Sequence, residues 1–172
     1  MINNPKQVWF TSDFHFGHNN IRNLCSRPYQ SVEEMDSDLI EKLNSAAKED
    51  HELFFLGDFS LSRKERLKRY IERIVCKKKT LIIGNHDTMR PEWYVENGWK
   101  LASPYPVIVM GSLILSHRMQ PLPPESTLFN LFGHVHNHMP HRPDQRHMNI
   151  SCDVTDYSPV SLEYVLDQIA HH

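Results

Sequence analysis

Residues 80–87 read TLIIGNHD: a β-branched and apolar run, then a glycine, then Asn85, His86 and Asp87. A short apolar run that stops at glycine reads as a buried strand ending in a sharp turn, and this turn carries groups that ligate metals or move protons. The same arrangement occurs twice upstream. Gln7–Ser12 (QVWFTS) runs into Asp13 and His15, and Glu52–Leu56 (ELFFL) runs into Gly57 and Asp58. Amphipathic stretches separate these strands. Val32–Ala47 is predicted as a helix opened by a capping box from Ser31 to Glu34, and Lys64–Val75 as one opened by a box from Ser62 to Glu65. The second helix puts Leu67, Tyr70, Ile71, Ile74 and Val75 on one face, as packing against a sheet requires.

Past a helical turn from Pro91 to Glu96, the pattern becomes strand-rich. Val107–Met110 and Leu113–Ser116 flank Gly111-Ser112, which suits a type II′ hairpin turn, and Leu128–Phe132 and Met148–Cys152 add two further strands. Ser161 is expected to cap a last helix, Leu162–Ala170, with Leu162, Val165, Leu166 and Ile169 facing inward. Alternating strands and helices followed by hairpins predict an α/β chain, one domain over residues 1–172, with two facing sheets and helices outside.

Composition excludes several function classes. The 172 residues carry 19 Lys and Arg against 21 Asp and Glu, a net charge of −2, which argues against an acidic tail or a basic nucleic-acid coat. No apolar run approaches the roughly 20 residues of a membrane helix, and the start MINNPKQVW has neither the basic nor the apolar region of a signal peptide, so a cytoplasmic location is expected. Cys25, Cys76 and Cys152 are odd in number and widely spaced, and they read as buried packing residues rather than a disulfide framework. Twelve histidines are the unusual feature, and they point to ligation or proton transfer. His171 and His172 carry no signal.

Loops at the carboxyl ends of neighbouring strands converge on one crevice, so Asp13, His15, Asp58, Asn85, His117, His134 and His136 can share one site. Their carboxylate, imidazole and amide groups form a mixed nitrogen and oxygen set that suits Mn, Fe, Co, Ni or Zn rather than Ca. Seven ligands are too many for one ion. They suit two ions bridged by a carboxylate, roughly 3.5 to 4 Å apart, the usual device for phosphoryl hydrolysis.

These segments resemble the signature of the calcineurin-like metallophosphoesterase family. Asp13-Phe14-His15, Gly57-Asp58, Gly84-Asn85-His86-Asp87, the lone His117 and Gly133-His134-Val135-His136 occur in the family's order, each at a predicted strand end. The resemblance implies a four-layer αββα sandwich and two divalent metal ions per chain, with Mn first among Mn, Fe, Zn, Ni and Co. It implies that Asp13, His15, Asp58 and His136 hold one ion, that Asp58, Asn85, His117 and His134 hold the other, and that Asp58 bridges. A metal-bridging hydroxide would be the nucleophile. His86 would stabilise phosphoryl oxygens or protonate the leaving alkoxide, and Asp87 would act beside it by orienting the turn.

Two further residues are candidates for substrate binding. His18 either touches the substrate phosphate or caps the short helix that follows, and Arg27 either neutralises a phosphate or is a solvated loop arginine. Trp9, Phe14, Phe16 and Phe59 read as packing. His138–His147 is either a substrate-facing rim or a polar loop, and Lys77, Lys78 and Lys79 read as a solvated face. The chain departs from the family's protein phosphatases at Gly57–Arg63 and at Asp87, and Leu61 stands where an aspartate would orient His86. Close ligand spacing leaves no room for an inserted cap, so an open site is expected. Trp9–Ile21 and Cys152–Leu162 look like the small bacterial and phage phosphoesterases. The expected substrate is a small phosphodiester or nucleotide, cyclic nucleotides included. A nuclease on short nucleic acids, a phosphomonoesterase and a non-catalytic protein-binding scaffold are the alternatives, and long nucleic acid is disfavoured.

Overall fold

A computed structural model describes residues 4–142 and 144–170, so Met1 to Asn3 of the first segment, and His171 and His172, lie outside the described residues. One sheet contains β1 (Val8–Thr11), β2 (Glu52–Phe55), β3 (Lys78–Ile82), β4 (Leu101–Ser103) and β9 (Val160–Ser161), in the order β4-β3-β2-β1-β9. β1 to β4 are parallel, and β9 joins β1 antiparallel. The second sheet, β5-β6-β7-β8, contains β5 (Val107–Val109), β6 (Leu113–Ser116), β7 (Phe129–Phe132) and β8 (His147–Asn149). The β5–β6 pair is antiparallel, and the other two pairs are parallel. The helices are α1 (Ile21–Leu24), α2 (Val32–Ala46), α3 (Lys64–Arg73), α4 (Pro91–Glu96) and α5 (Leu162–Ala170). The fold is therefore the expected α/β class, two mixed sheets flanked by helices. No helix among the described residues is long and apolar enough to cross a membrane.

Alternation along the central strands builds two cores. Leu53, Phe55 and Leu81 point to the helical side, where they meet Met35, Leu39 and Leu43 of α2 and Leu67, Tyr70 and Ile71 of α3. Phe54, Phe10 and Ile82 point the other way and pack against Leu113, Leu115, Phe129, Leu131 and Met148 of the second sheet, with Leu162 and Val165 of α5. These strands are buried on both faces, which is why they read as continuous apolar runs. The cysteines are buried and unpaired, as expected.

Several local expectations are corrected. α3 ends at Arg73, its N-cap is Arg63, and Ser62 makes no cap because its hydroxyl donates to the Phe16 carbonyl instead. Val75 and Leu166 are exposed. The hairpin turn is Met110-Gly111, with φ of 54° and 72° closed by Ser112 N–H on the Val109 carbonyl, so it has the two positive φ angles of a type I′ turn. β8 stops at Asn149, and Cys152 begins a single 3₁₀ turn. Lys79 is buried in β3 and donates to the Cys76 carbonyl, so only Lys77 and Lys78 of that run are solvated. Ser31 does cap α2, accepting from Glu34 N–H, while the Glu34 carboxylate reaches back to Gln30 N–H.

Phe55 is wholly buried between α2, α3 and the sheet, with edge contacts to Phe14 and Phe59. Phe55→Ala is expected to lower stability by about 3–5 kcal/mol. Urea unfolding measures this, and a loss below about 1 kcal/mol would contradict the packing described.

Candidate metal centre

The ligand-bearing loops leave the strand ends in strained conformations. Five of the nine non-glycine residues with positive φ among the described residues are Asp13, His15, Asp58, His134 and His136, with φ between 48° and 73°. Each such residue costs roughly 1–2 kcal/mol against right-handed backbone, so concentrating five of them in one crevice requires support from the surroundings. Glycines give part of it. A Cβ on Gly84 would collide with the Asp58 carboxylate, and one on Gly133 would collide with Ser12 and the Asp13 carboxylate.

Among the described residues, three groups have their ligand atoms within 4.8 Å of one another: Asp13, His15 and His136; Asp58, His117 and His134; and Cys25, His136 and Asp153, of which the first two are made of the expected ligands. A single oxygen, Asp58 Oδ2, lies 3.4 Å from His15 Nε2 of the first group and 3.5 Å from His117 Nε2 of the second. Asn85 Oδ1 stands 3.0 Å from His117 Nε2, which adds an amide oxygen to the second group. All seven residues expected from the sequence therefore come together.

The donor set fits divalent cations. Both ring nitrogens of His15 are buried with no hydrogen-bond partner, a costly arrangement for a polar group unless a cation takes one of them. Burial, with neighbouring positive groups, holds His15 well below the ordinary histidine range and also lowers His134, which favours the neutral ring that has a lone pair to give. His117 Nδ1 lies 2.9 Å from the Leu56 carbonyl, which turns Nε2 toward the crevice. Burial raises Asp58, and Asp13 adds to that against the pull of His117.

Residues that the sequence pattern does not single out hold these ligands. Asp153 Oδ2 lies 2.7 Å from His136 Nδ1, forming a carboxylate–histidine pair that aims the other ring nitrogen toward Asp13. Asn149 Nδ2 donates to the His136 carbonyl, and Ser151 Oγ donates to Asp13 Oδ2. Asp153 follows an apolar strand segment, as the expected ligands do, and that rule could have found it.

Arg27 is a correction. Its side chain is fully buried, bonded to both Asp153 oxygens and to the carbonyls of Asp13 and Phe14, which leaves the guanidinium no face for a substrate phosphate. It fixes Asp153 and the backbone of the first ligand loop. Asp87 lies behind the turn it was expected to orient, as a positioning residue. Its carboxylate accepts from the N–H groups of Gly84, Asp58 and Phe59, and burial pushes it up to about 6 despite those bonds. His86 N–H donates to Asp58 Oδ1, while its half-exposed ring comes within 4.0 Å of Asp58 Oδ2 and 5.2 Å of the His15 ring, so it overhangs both groups without a carboxylate at hydrogen-bond distance. Leu61, in the aspartate's place, is exposed.

His18 stands beside the site, its ring 5.6 Å from His15. It does not cap α1, whose N-cap is Asn20. Phe14, Phe16 and Phe59 pack in the core, and Trp9 donates to His51. Within 138–147, His141, Arg146 and His147 and the Nη groups of Arg142 are bonded to protein partners, which favours the polar-loop reading over a substrate rim.

The profile of the calcineurin-like phosphoesterase family matches residues 6–168. An uncharacterized protein, MJ1445 of Methanocaldococcus jannaschii, is 30% identical over 177 residues, covering 95% of this chain and 92% of its own length. The gene 66 protein of Mycobacterium phage L5 is 36% identical over 89 residues, 49% of this chain and 41% of that protein. The crystal structure of AQ665, a protein of unknown function from Aquifex aeolicus, shares the fold with a TM-score of 0.71 at 22% identity, over 94% of this chain and 98% of that one.

Burial works against a charge on His136, but Asp153, with Cys25 and Asp13, outweighs it and pushes the ring up to about 10. The folded metal-free protein therefore keeps a proton that the unfolded chain releases near pH 6.5. This contribution to stability is complete below pH 6.5 and is lost as the pH rises toward 10. In chelator, thermal unfolding should fall in temperature from pH 6.5 to 9, less steeply in Asp153→Asn. Equal slopes for the two proteins would contradict the pairing.

Proposed function

The chain belongs to the calcineurin-like phosphoesterase family, and within it we propose a two-metal phosphodiesterase acting on small phosphodiesters, cyclic nucleotides among them. The observation that carries this reading is the single Asp58 oxygen lying between two complete ligand groups. Two divalent cations held there, Mn first among those that accept nitrogen and oxygen ligands, supply Lewis acidity and a water of lowered pKa. Asp13, His15, Asp58 and His136 would hold one, and Asp58, Asn85, His117 and His134 the other.

The chain's own residues do the rest. His86 hangs over the ligand groups on a backbone tied to Asp58, where its ring can protonate a leaving alkoxide or bond a phosphoryl oxygen. Asp87 fixes the turns that carry Asp58 and His86. Arg27 and Asp153 orient His136. His18 borders the same crevice and can meet the phosphate. Asn85 is exposed and the His86 ring half-exposed, so both ester arms of a diester can extend into solvent.

Metal-stripped protein restored with Mn, Fe, Ni, Co, Zn or Mg should hydrolyse bis-p-nitrophenyl phosphate faster than p-nitrophenyl phosphate. Monoester preference would replace this reading with a phosphatase, and inactivity with two ions bound would favour a scaffold. His86→Ala should lower turnover by about 10²–10⁴-fold at unchanged metal content. A near-normal rate would remove His86 from the chemistry.

A further inference from the structure

A cleft of about 360 Å³ opens beside the second ligand group and shares Asn85 and His117 with it. Pro104-Tyr105-Pro106 and Arg118 also line it. Tyr105 is 73% exposed, whereas Tyr70 and Tyr94 are buried in the core. Its ring gives the fold little, yet its mounting is rigid. The Tyr105 N–H donates to Ser103 Oγ at 3.2 Å, the same hydroxyl donates to the Tyr105 carbonyl at 2.8 Å, and a proline on each side fixes φ. A large planar ring held in water at low conformational cost is the arrangement that contact surfaces use to bind.

Arg118 is mounted with similar care. Its carbonyl accepts from Gln120 Nε2, while Gln120 N–H donates to Asn130 and the Gln120 carbonyl lies 2.9 Å from His147 Nε2. The guanidinium is exposed, and Nη2 lies 3.4 Å from Asn85 Oδ1, at the edge of the metal centre. A cation at the edge of the ligand group and an exposed aromatic face lining the same cleft are the two kinds of contact a nucleotide offers partners for, an anionic phosphate and a π-faced base.

We propose that this cleft is the nucleoside subsite of the phosphodiesterase, with Tyr105 stacking on the base and Arg118 facing a non-bridging phosphate oxygen. The proposal rests on the phosphodiesterase reading and names its substrate class as nucleotide diesters. Its test compares two substrates of equal charge and identical leaving group, thymidine 5′-(4-nitrophenyl phosphate) and methyl 4-nitrophenyl phosphate, with the metal-loaded protein. The native chain should prefer the thymidine ester. Tyr105→Ala should reduce the ratio of the two kcat/KM values on the order of 5- to 150-fold, the range of one base–aromatic stack, and Tyr105→Phe should keep it. A ratio unchanged in Tyr105→Ala overturns the subsite. If neither ester is hydrolysed with any metal, the diesterase reading fails, and thymidine 5′-monophosphate binding followed by NMR titration decides the subsite separately. Weaker binding to Tyr105→Ala than to the native chain supports it, and equal Kd values overturn it.

Discussion

Two carboxylates, Asp13 and Asp58, are buried where the ends of two sheets meet, and the rest of the molecule is arranged to make that burial tolerable. Asp13 accepts from His134 N–H and from Ser151 Oγ, both carried by the second sheet's loops, and Asp58 accepts from His86 N–H. A parallel bridge between Ser12 and Ser151 fastens the sheets at that point. Buried carboxylates at a seam are unfavourable alone, because their hydration is lost and each raises the other's cost. Cations between them reverse the sign of the interaction. The same feature that costs the fold stability thus makes it a metal-binding one.

The strain extends into the backbone. A strand that simply continued would send its next side chains alternately to the two cores, so the ligand loops turn through left-handed residues to aim Asp13, His15, Asp58, His134 and His136 at one crevice. The support is long-range. Arg27, buried against Asp153, ties the first ligand loop to the segment that orients His136, and Asp87 ties the His86 turn to the Asp58 turn. These charged groups lie behind the candidate ligands. They set the geometry of the candidate ligands and of His86.

The seven residues of the candidate site were legible because they follow apolar runs, and apolar runs reveal strands buried on both faces. Helix α2 was legible through Ser31 and Glu34, whose capping is local. What could not be read was set by partners distant in sequence. The Ser62 hydroxyl binds the Phe16 carbonyl rather than its own helix, Lys79 is buried by its place in β3, and Arg27 finds Asp153 across 126 positions. Strands β4 and β9, of three and two residues, are too short to leave a periodic signal, and their pairing comes from the neighbouring edges β3 and β1.

The proposed centre depends on one atom, Asp58 Oδ2, since a shared ligand would make two cation sites one reactive centre. Counting metal by plasma mass spectrometry after loading with Mn and desalting tests this most directly. The native chain should retain two ions, and Asp58→Asn should lose occupancy at both positions. One ion per native chain, or two retained by Asp58→Asn, would contradict the bridged centre.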